Sequence, residues 1–289
     1  MVIVMTERSG RFWGGWRGKC CALLLVLGGG IGLFSYFTPR SPKVSHLFVE
    51  LDADGSPFTR TAIQGIPCRL EINFGSKYPL ALSKQLLTQL EKTEAGTTTL
   101  RNVKGDETEC LTFYIKELKV GELKFKNILV LEKKISLDEQ YGSMGQPLLS
   151  QQNLLLDFKN SAIVACNDKK VLPSLGYRLE EMTKIPFELG RTGIILSCKT
   201  DLGIKKLDLT TAANLSCLRQ PAEQSEPPPT LTTSQLVIGG KDFGPQVLRF
   251  VYITPKLDEI DGFLGMDFLR RHVTYIDFEN GLVYIRERE

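Results

Sequence analysis

LDEIDGFLGMDFLRRHVTYIDFENGLVYI, residues 257–285, decides the fold, because the chain contains a second version of it. Slid back by 120 residues, it falls without a gap on LDEQYGSMGQPLLSQQNLLLDFKNSAIVA, residues 137–165, and nine of the 29 positions are identical. The identities are Leu137, Asp138, Glu139, Gly142, Gly145, Leu149, Asp157, Phe158 and Asn160 with their counterparts. Upstream, LKVGELKF at 118–125 resembles LVIGGKDF at 236–243, and FVEL at Phe48 has a partner in FEL at Phe187. Self-similarity at one fixed period marks a duplicated structural unit of roughly 100 to 120 residues.

Each unit reads mostly as strand. TFYIKELKVG, FKNILVLEK, VLRFVYITP and GLVYIRE are short, rich in β-branched or aromatic residues, and bounded by turn residues. Glu279-Asn280-Gly281 predicts a tight turn between two strands. Ser83 predicts an N-cap for SKQLLTQLEK, whose Leu86, Leu87 and Leu90 fall on one face. FLRRHV after Gly265 predicts another short helix. PAEQSEPPPTLTTSQ, residues 221–235, is too polar and Pro-rich for a core strand and reads as an exposed loop. The sum is an all-β body of two lobes, 47–170 and 171–289.

Ahead of them, CCALLLVLGGGIGLFSYF at 20–37 carries no charge and is long enough for a short spanning helix. Arg8, Arg11, Arg17 and Lys19 precede it, which predicts a cytoplasmic tail at 1–19 and a globular part outside the cytoplasm. A transmembrane signal anchor is the reading taken. A cleaved signal peptide is its rival, although no small-x-small cleavage site closes the run. Residues 38–46 read as a Pro-containing linker.

Composition excludes several function classes. The net charge is +3 and part of it lies before the apolar run, which argues against nucleic acid as a partner. Two histidines, His46 and His272, stand far apart, and no CxxC occurs, so neither a Ser-His-Asp triad nor a metal or other cofactor site is expected. Cys68, Cys110, Cys166, Cys198 and Cys217 are open to two readings, disulfides in an exported domain or buried thiols.

The order strand, Gly-Phe-Leu-Gly, short helix, strand with Asp-Phe, turn, strand in residues 261–285 resembles the closing segment of a retropepsin-like lobe. Two such lobes in one chain are similar to a compact pepsin-like aspartic protease. Phe263-Leu264-Gly265 fits the apolar-apolar-Gly motif that packs beneath the family's catalytic loop, and Ser143-Met144-Gly145 is the poorer match in the first unit. The resemblance covers the chain from about Val44 onward and implies an Asp-Thr/Ser-Gly loop after a hairpin in each lobe. In the first unit the hairpin FTRTAIQGIPCRLEI is followed by Asn73-Phe74-Gly75-Ser76. In the second, GIILSCKTDLGIKKL is followed by Asp208-Leu209-Thr210-Thr211. These loops lie 22 residues after Leu51 and 19 after Leu189.

So placed, Asp208 is a remnant of the catalytic pair and Asn73 replaces the first aspartate. Peptide hydrolysis by such a pair needs two carboxylates sharing one proton, and an amide cannot take part. Phe74 and Leu209 lack the hydroxyl that the family uses to tie the lobes together, and Thr210 replaces a glycine. Asp52 and Asp54 read as turn residues, and Asp157 and Asp277 as structural acids. The expected function is a membrane-anchored, catalytically inactive module binding a peptide or protein between its lobes. An active membrane-bound endopeptidase using Asp208 and a structural envelope component are the alternatives.

Overall fold

The computed structural model describes residues 3–5, 44–133, 141–220 and 230–288. Each lobe is built on one hairpin. In the first, Pro57–Ile63 turns through Gln64-Gly65 into Ile66–Asn73. In the second, Ile194–Thr200 turns into Gly203–Leu209. The second strand of each hairpin then pairs in parallel with the closing strand of its own lobe, Tyr141–Gly145 or Gly262–Leu264. Each closing strand pairs antiparallel on its other side, with Leu80–Ser83 or Cys217–Arg219. Parallel strands need both faces covered, and the strand LALS at Leu80–Ser83 is buried at all four positions.

A six-stranded sheet joins the lobes, in the order Thr183–Pro186, Leu282–Glu287, His272–Asp277, Leu154–Asp157, Ala162–Ala165, Ser45–Phe48. Three strands come from each unit. At the seam Leu155 faces Tyr275, its own counterpart in the repeat. A residue that pairs antiparallel with its own copy sits on a local two-fold axis, so the duplication is also a spatial pseudosymmetry. The expected all-β, bilobal architecture is therefore the one observed.

Local expectations also hold. Ser83 accepts from the Leu86 N–H at 3.2 Å and caps the helix Lys84–Thr88, which buries Leu86 and Leu87. The helix expected after Gly265 is Met266–Leu269, shorter than FLRRHV because His272 already begins a strand, and its counterpart in the first unit is Gln146–Leu149. Asp157 and Asp277 each bind the side-chain amide of the asparagine three residues on, Asn160 and Asn280, and so hold the turns of the closing segments. Asp52 accepts from the N–H groups of Asp54 and Ser56 as a turn residue. The five cysteines of the lobes are buried, and none of them is in a disulfide among the described residues.

The units differ in one large feature. Seventy-two residues separate Asn73 from Gly145, but only 55 separate Thr210 from Gly265. The first lobe uses much of its surplus in a long hairpin, Thr93–Asn102 with Glu107–Val120. Asn102 organises the tip: its side chain accepts from the N–H groups of Lys104 and Asp106 and donates to the Asp106 carboxylate. The tip reaches the second lobe, where the Val103 carbonyl accepts from the Thr254 N–H at 2.9 Å.

Among the described residues no helix is long and apolar enough to cross a membrane, and the segment 20–37 lies outside them. The strand Ile3–Met5 pairs with residues 100–102 of the long hairpin.

Gly145 and Gly265 show how closely the closing segments approach the loops. A Cβ at Gly145 lies 1.9 Å from the Tyr78 carbonyl oxygen, and one at Gly265 lies 2.5 Å from that of Ala213. Both obstacles are backbone and cannot swing aside. Gly145→Ala is therefore expected to destabilise the fold by about 3 kcal/mol or more, read as a lowered midpoint in denaturant unfolding.

Candidate functional site

Strand register decides which side chains meet at the lobe junction. Asn73 is the last residue of its strand and lies opposite Gly145. In the second lobe Leu209 lies opposite Leu264, so the residue opposite Gly265 is Thr210, whose N–H bonds the Leu264 carbonyl at 3.0 Å. The hairpins agree, since Phe58 faces Glu71 as Ile195 faces Asp208, at the same spacing of 137 residues. The counterpart of Asn73 is thus Thr210. Asp208, expected from sequence to hold that place, is two residues upstream and matches Glu71.

The same shift moves the hydroxyl that ties the lobes. Leu209 is not its position; Thr211 is. The Thr211 hydroxyl donates to the Ile72 carbonyl at 2.6 Å and accepts from the Phe74 N–H at 3.1 Å. One side chain of the second lobe thereby engages the backbone on both sides of Asn73. The expectation that both hydroxyls are lost is half corrected. Phe74, at the matching place in the first lobe, carries none and instead stacks on Phe278 with 6.4 Å between ring centroids.

Gly75 marks where the loops meet. A Cβ there lies 3.0 Å from Thr210 Oγ1, 3.2 Å from Ala212 Cβ and 3.5 Å from Asn73 Oδ1. Asn73 and Thr210 are therefore brought together, and both are buried. Asn73 Nδ2 donates to Glu71 at 3.3 Å, and a second contact to that carboxylate comes from the Tyr141 hydroxyl. Asn73 Oδ1 has no hydrogen-bond partner among the described residues. Thr210 Oγ1 accepts from the Ala212 N–H at 3.1 Å. Ser76 supports the loop from behind, its carbonyl accepting from the Gln146 N–H at 2.9 Å. Neither Asn73 nor Thr210 titrates in the working range of a peptidase. No group of three or more His, Cys, Asp or Glu side chains suited to a metal occurs among the described residues.

Asp208 is wholly buried, and neither carboxyl oxygen makes a well-formed hydrogen bond among the described residues, although the Thr192 hydroxyl and the Ile194 N–H stand close to it. A Cβ on Gly193 lies 2.8 Å from Asp208 Oδ1 and 3.2 Å from the Phe74 carbonyl, which places the acid beside the junction but behind its surface. Burial pushes its pKa up to about 8; the Glu259 charge adds to this, while the Thr192 hydroxyl, the Ile194 N–H and the Lys77 charge oppose it.

Glu71, Tyr141 and the role of Thr211 escaped the sequence reading. One signal was available: Glu71-Ile72-Asn73 and Asp208-Leu209-Thr210 share the order acid, aliphatic, polar.

With this geometry in view, known structures supply the comparison. An aspartic proteinase from Irpex lacteus matches with a TM-score of 0.56 at 9% identity, covering 85% of this chain and 98% of that one. Basic 7S globulin from soybean matches with a TM-score of 0.57 at 12% identity, covering 84% and 94%. Conglutin gamma, a basic 7S globulin from lupine seeds, matches with a TM-score of 0.54 at 12% identity, covering 86% and 96%. The chain has the aspartic-proteinase fold. No family model and no curated protein sequence matches it.

The buried acid sets a pH dependence. A carboxyl whose folded pKa lies above its unfolded value of 3.8 holds its proton more tightly in the native state, so its contribution is present below pH 4 and lost as pH rises towards 8. Asp208→Asn is expected to remove this loss, leaving the variant more stable than the parent at pH 7 to 8 by roughly a few kcal/mol. The two should converge near pH 4, as read from unfolding midpoints across that range.

Proposed function

We propose that this protein is a non-catalytic module of the aspartic-proteinase fold whose interlobe cleft binds an extended peptide or a protein partner. The observation that carries the reading is the pair at the junction, Asn73 and Thr210, which stand where register places the two facing residues. An amide and a hydroxyl cannot divide one proton between them as two acids do, so this pair offers no general base to activate water. The scaffold around them remains in order: the Thr211 hydroxyl is bonded on both sides, and both supporting glycines are retained. A two-lobed frame without its acids still offers backbone groups and side-chain pockets to an extended chain.

An endopeptidase working through Asp208 finds no support in this geometry. That acid has no exposed surface, and its symmetry mate Glu71 is engaged by Asn73 and Tyr141. Assayed against a peptide library between about pH 3 and pH 7, the full chain is expected to cut nothing. Asn73→Asp should not restore cleavage. It removes the donor that faces Glu71 and sets two carboxylates side by side, so the variant should melt lower than the parent at pH 7 and recover in acid. Cleavage by the parent that Asp208→Asn abolishes would return the protein to the enzymes.

Membrane attachment through residues 20–37, with the lobes outside the cytoplasm, belongs to the same proposal. A crossing there separates Ile3–Met5 from the lobes, so the anchored form must release that strand from residues 100–102. The full chain is expected to stay with membranes after an alkaline wash, and a chain lacking residues 1–43 to leave them. Release of the full chain by that wash would discard the anchor.

A further inference from the structure

Strand pairing matches the two units residue by residue beyond the junction, and one piece of the first has no described counterpart in the second. Ser143 pairs with Ala81, and its copy in the repeat, Phe263, pairs with Cys217, so Leu82 corresponds to Leu218 and Ser83 to Arg219. In the first lobe Ser83 opens the helix Lys84–Thr88. That helix lies on the strands Leu80–Ser83 and Leu123–Lys133, and it seals Leu86 and Leu87 into the core that also holds Leu82 and Cys68. The chain beyond it is pinned to the hairpin turn, where the Gln64 side chain donates to the Glu91 carbonyl at 2.8 Å and accepts from the Glu91 N–H at 2.7 Å. In the second lobe no helix follows Arg219 among the described residues. Residues 221–229, PAEQSEPPP, lie outside them and contain no Leu, Ile, Val, Met or aromatic side chain to take that helix's place.

A cavity of about 520 Å³ stands where the second lobe lacks this cover. Its walls include Leu218, the counterpart of Leu82, and Phe250, the residue paired with Leu218 on the neighbouring strand. Leu202 and Lys205 also line it, and by the spacing of 137 that aligns the hairpins they match the turn residue Gly65 and the buried Cys68. Leu202 is 48% exposed and Tyr252, on the same cavity, 56%. Apolar side chains left open around one hollow mark a surface that another molecule covers.

The charges of the lining set the chemistry of that cover. Two cations, Lys205 and Arg219, share the cavity with one acid, Asp261, which already accepts from the Lys206 N–H at 2.8 Å. Lys205 has no ion pair or hydrogen bond among the described residues. The Arg219 guanidinium meets only carbonyls, those of Ile253, Thr254, Leu257 and Ile260, at 2.5 to 3.1 Å. These bonds also brace the loop that follows Tyr252, so the groove is preformed and a ligand need not order it.

We propose that this groove of the second lobe docks a short, acidic, amphipathic helix of a partner protein, which completes the lobe as Lys84–Thr88 completes the first. Two adjacent apolar side chains of the partner take the places that Leu86 and Leu87 hold in the first lobe, and a carboxylate meets Lys205. Anchors from one face of a helix set into an apolar groove are a common mode of recognition. Lys205 lies five residues before Thr210 on its strand, roughly 17 Å away at 3.3 Å per residue. Binding here is therefore independent of whether the interlobe cleft takes a peptide.

The probe is a fluorescent peptide of residues 83–92 with Lys84→Glu and Lys92→Glu. A lactam bridge between positions 85 and 89, both exposed in the first lobe, holds so short a helix together. By fluorescence anisotropy, the full chain is expected to bind it on the order of tenfold more tightly than the same bridged peptide with its two lysines. Leu86→Ser with Leu87→Ser in the peptide should abolish the signal. In the protein, Tyr252→Asp should weaken binding by about tenfold or more, and Lys205→Glu should reverse the preference towards the lysine peptide. If Tyr252→Asp does not fold, Leu202→Asp takes its place. No binding of the acidic peptide by the full chain, or binding indifferent to both protein variants, overturns the proposal. Binding that appears only once residues 221–229 are replaced by a Gly-Ser link of equal length assigns the groove to the chain's own segment and overturns it as well.

Discussion

In each lobe the central hairpin strand ends in a parallel pairing with the strand that leads to a glycine, and this pairing fixes what the junction contains. Asn73 faces Gly145, and Leu209 faces Leu264 one step short of Gly265. Side chains alternate across a strand, so a slip of one residue would turn every group at the junction to the other face. The glycines prevent such a slip: their Cα atoms lie so close to the carbonyls of Tyr78 and Ala213 that only a residue without a Cβ fits. Position at the site is thus set by backbone contact, before any polar group is considered.

Given that register, the tie between the lobes needs surprisingly few groups. The family-like arrangement implied by the resemblance uses a hydroxyl from each lobe, whereas here Thr211 alone serves. Its oxygen donates to one backbone group flanking Asn73 and accepts from another, so its hydrogen-bonding capacity is nearly filled in a buried setting. On the opposite side Phe74 replaces the second hydroxyl with ring packing on Phe278, a residue of the second closing segment. One polar clamp and one aromatic contact therefore hold what two polar clamps would otherwise hold. The long hairpin adds a further contact between the lobes, through Val103.

The duplication was readable because residues 137–165 and 257–285 contain no insertion, and their turns carry Asp and Asn at matching places. Those side chains act locally, Asp157 on Asn160 and Asp277 on Asn280, so their meaning survives in a short window of sequence. The junction was not readable in the same way. Its register depends on pairing between segments 55 to 72 residues apart, and the intervening lengths differ between the lobes. Sliding the chain by 120 residues aligns the closing segments, but the hairpins align only at 137. Asp208 drew the reading because it is the one acid near the expected motif. The match of Glu71-Ile72-Asn73 with Asp208-Leu209-Thr210 is visible in the letters, yet it gains meaning only once Phe58 and Ile195 are seen to face the two acids. The contact of Val103 with the second lobe left no local signal at all, since it forms only after both lobes have folded.

Glu71 and Asp208 show why the loss of chemistry is built into the scaffold and is not a matter of one missing acid. Each lies two residues before the junction, hence on the same strand face but about 7 Å deeper at 3.3 Å per residue. At that depth Glu71 keeps company with the Asn73 amide and the Tyr141 hydroxyl, both donors to it. An aspartate at 73 would offer no proton at neutral pH and would face a like charge. Asn73 is thus matched to Glu71, and the amide supplies a contact that the catalytic acid it resembles cannot. At Asp208 the nearby Thr192 hydroxyl and Ile194 N–H do not offset burial, which drives its pKa up to about 8 and so favours the protonated form. A working acid pair would need Glu71 given another partner and a carboxylate placed at both 73 and 210, so that three positions must change together before water could be activated at the junction.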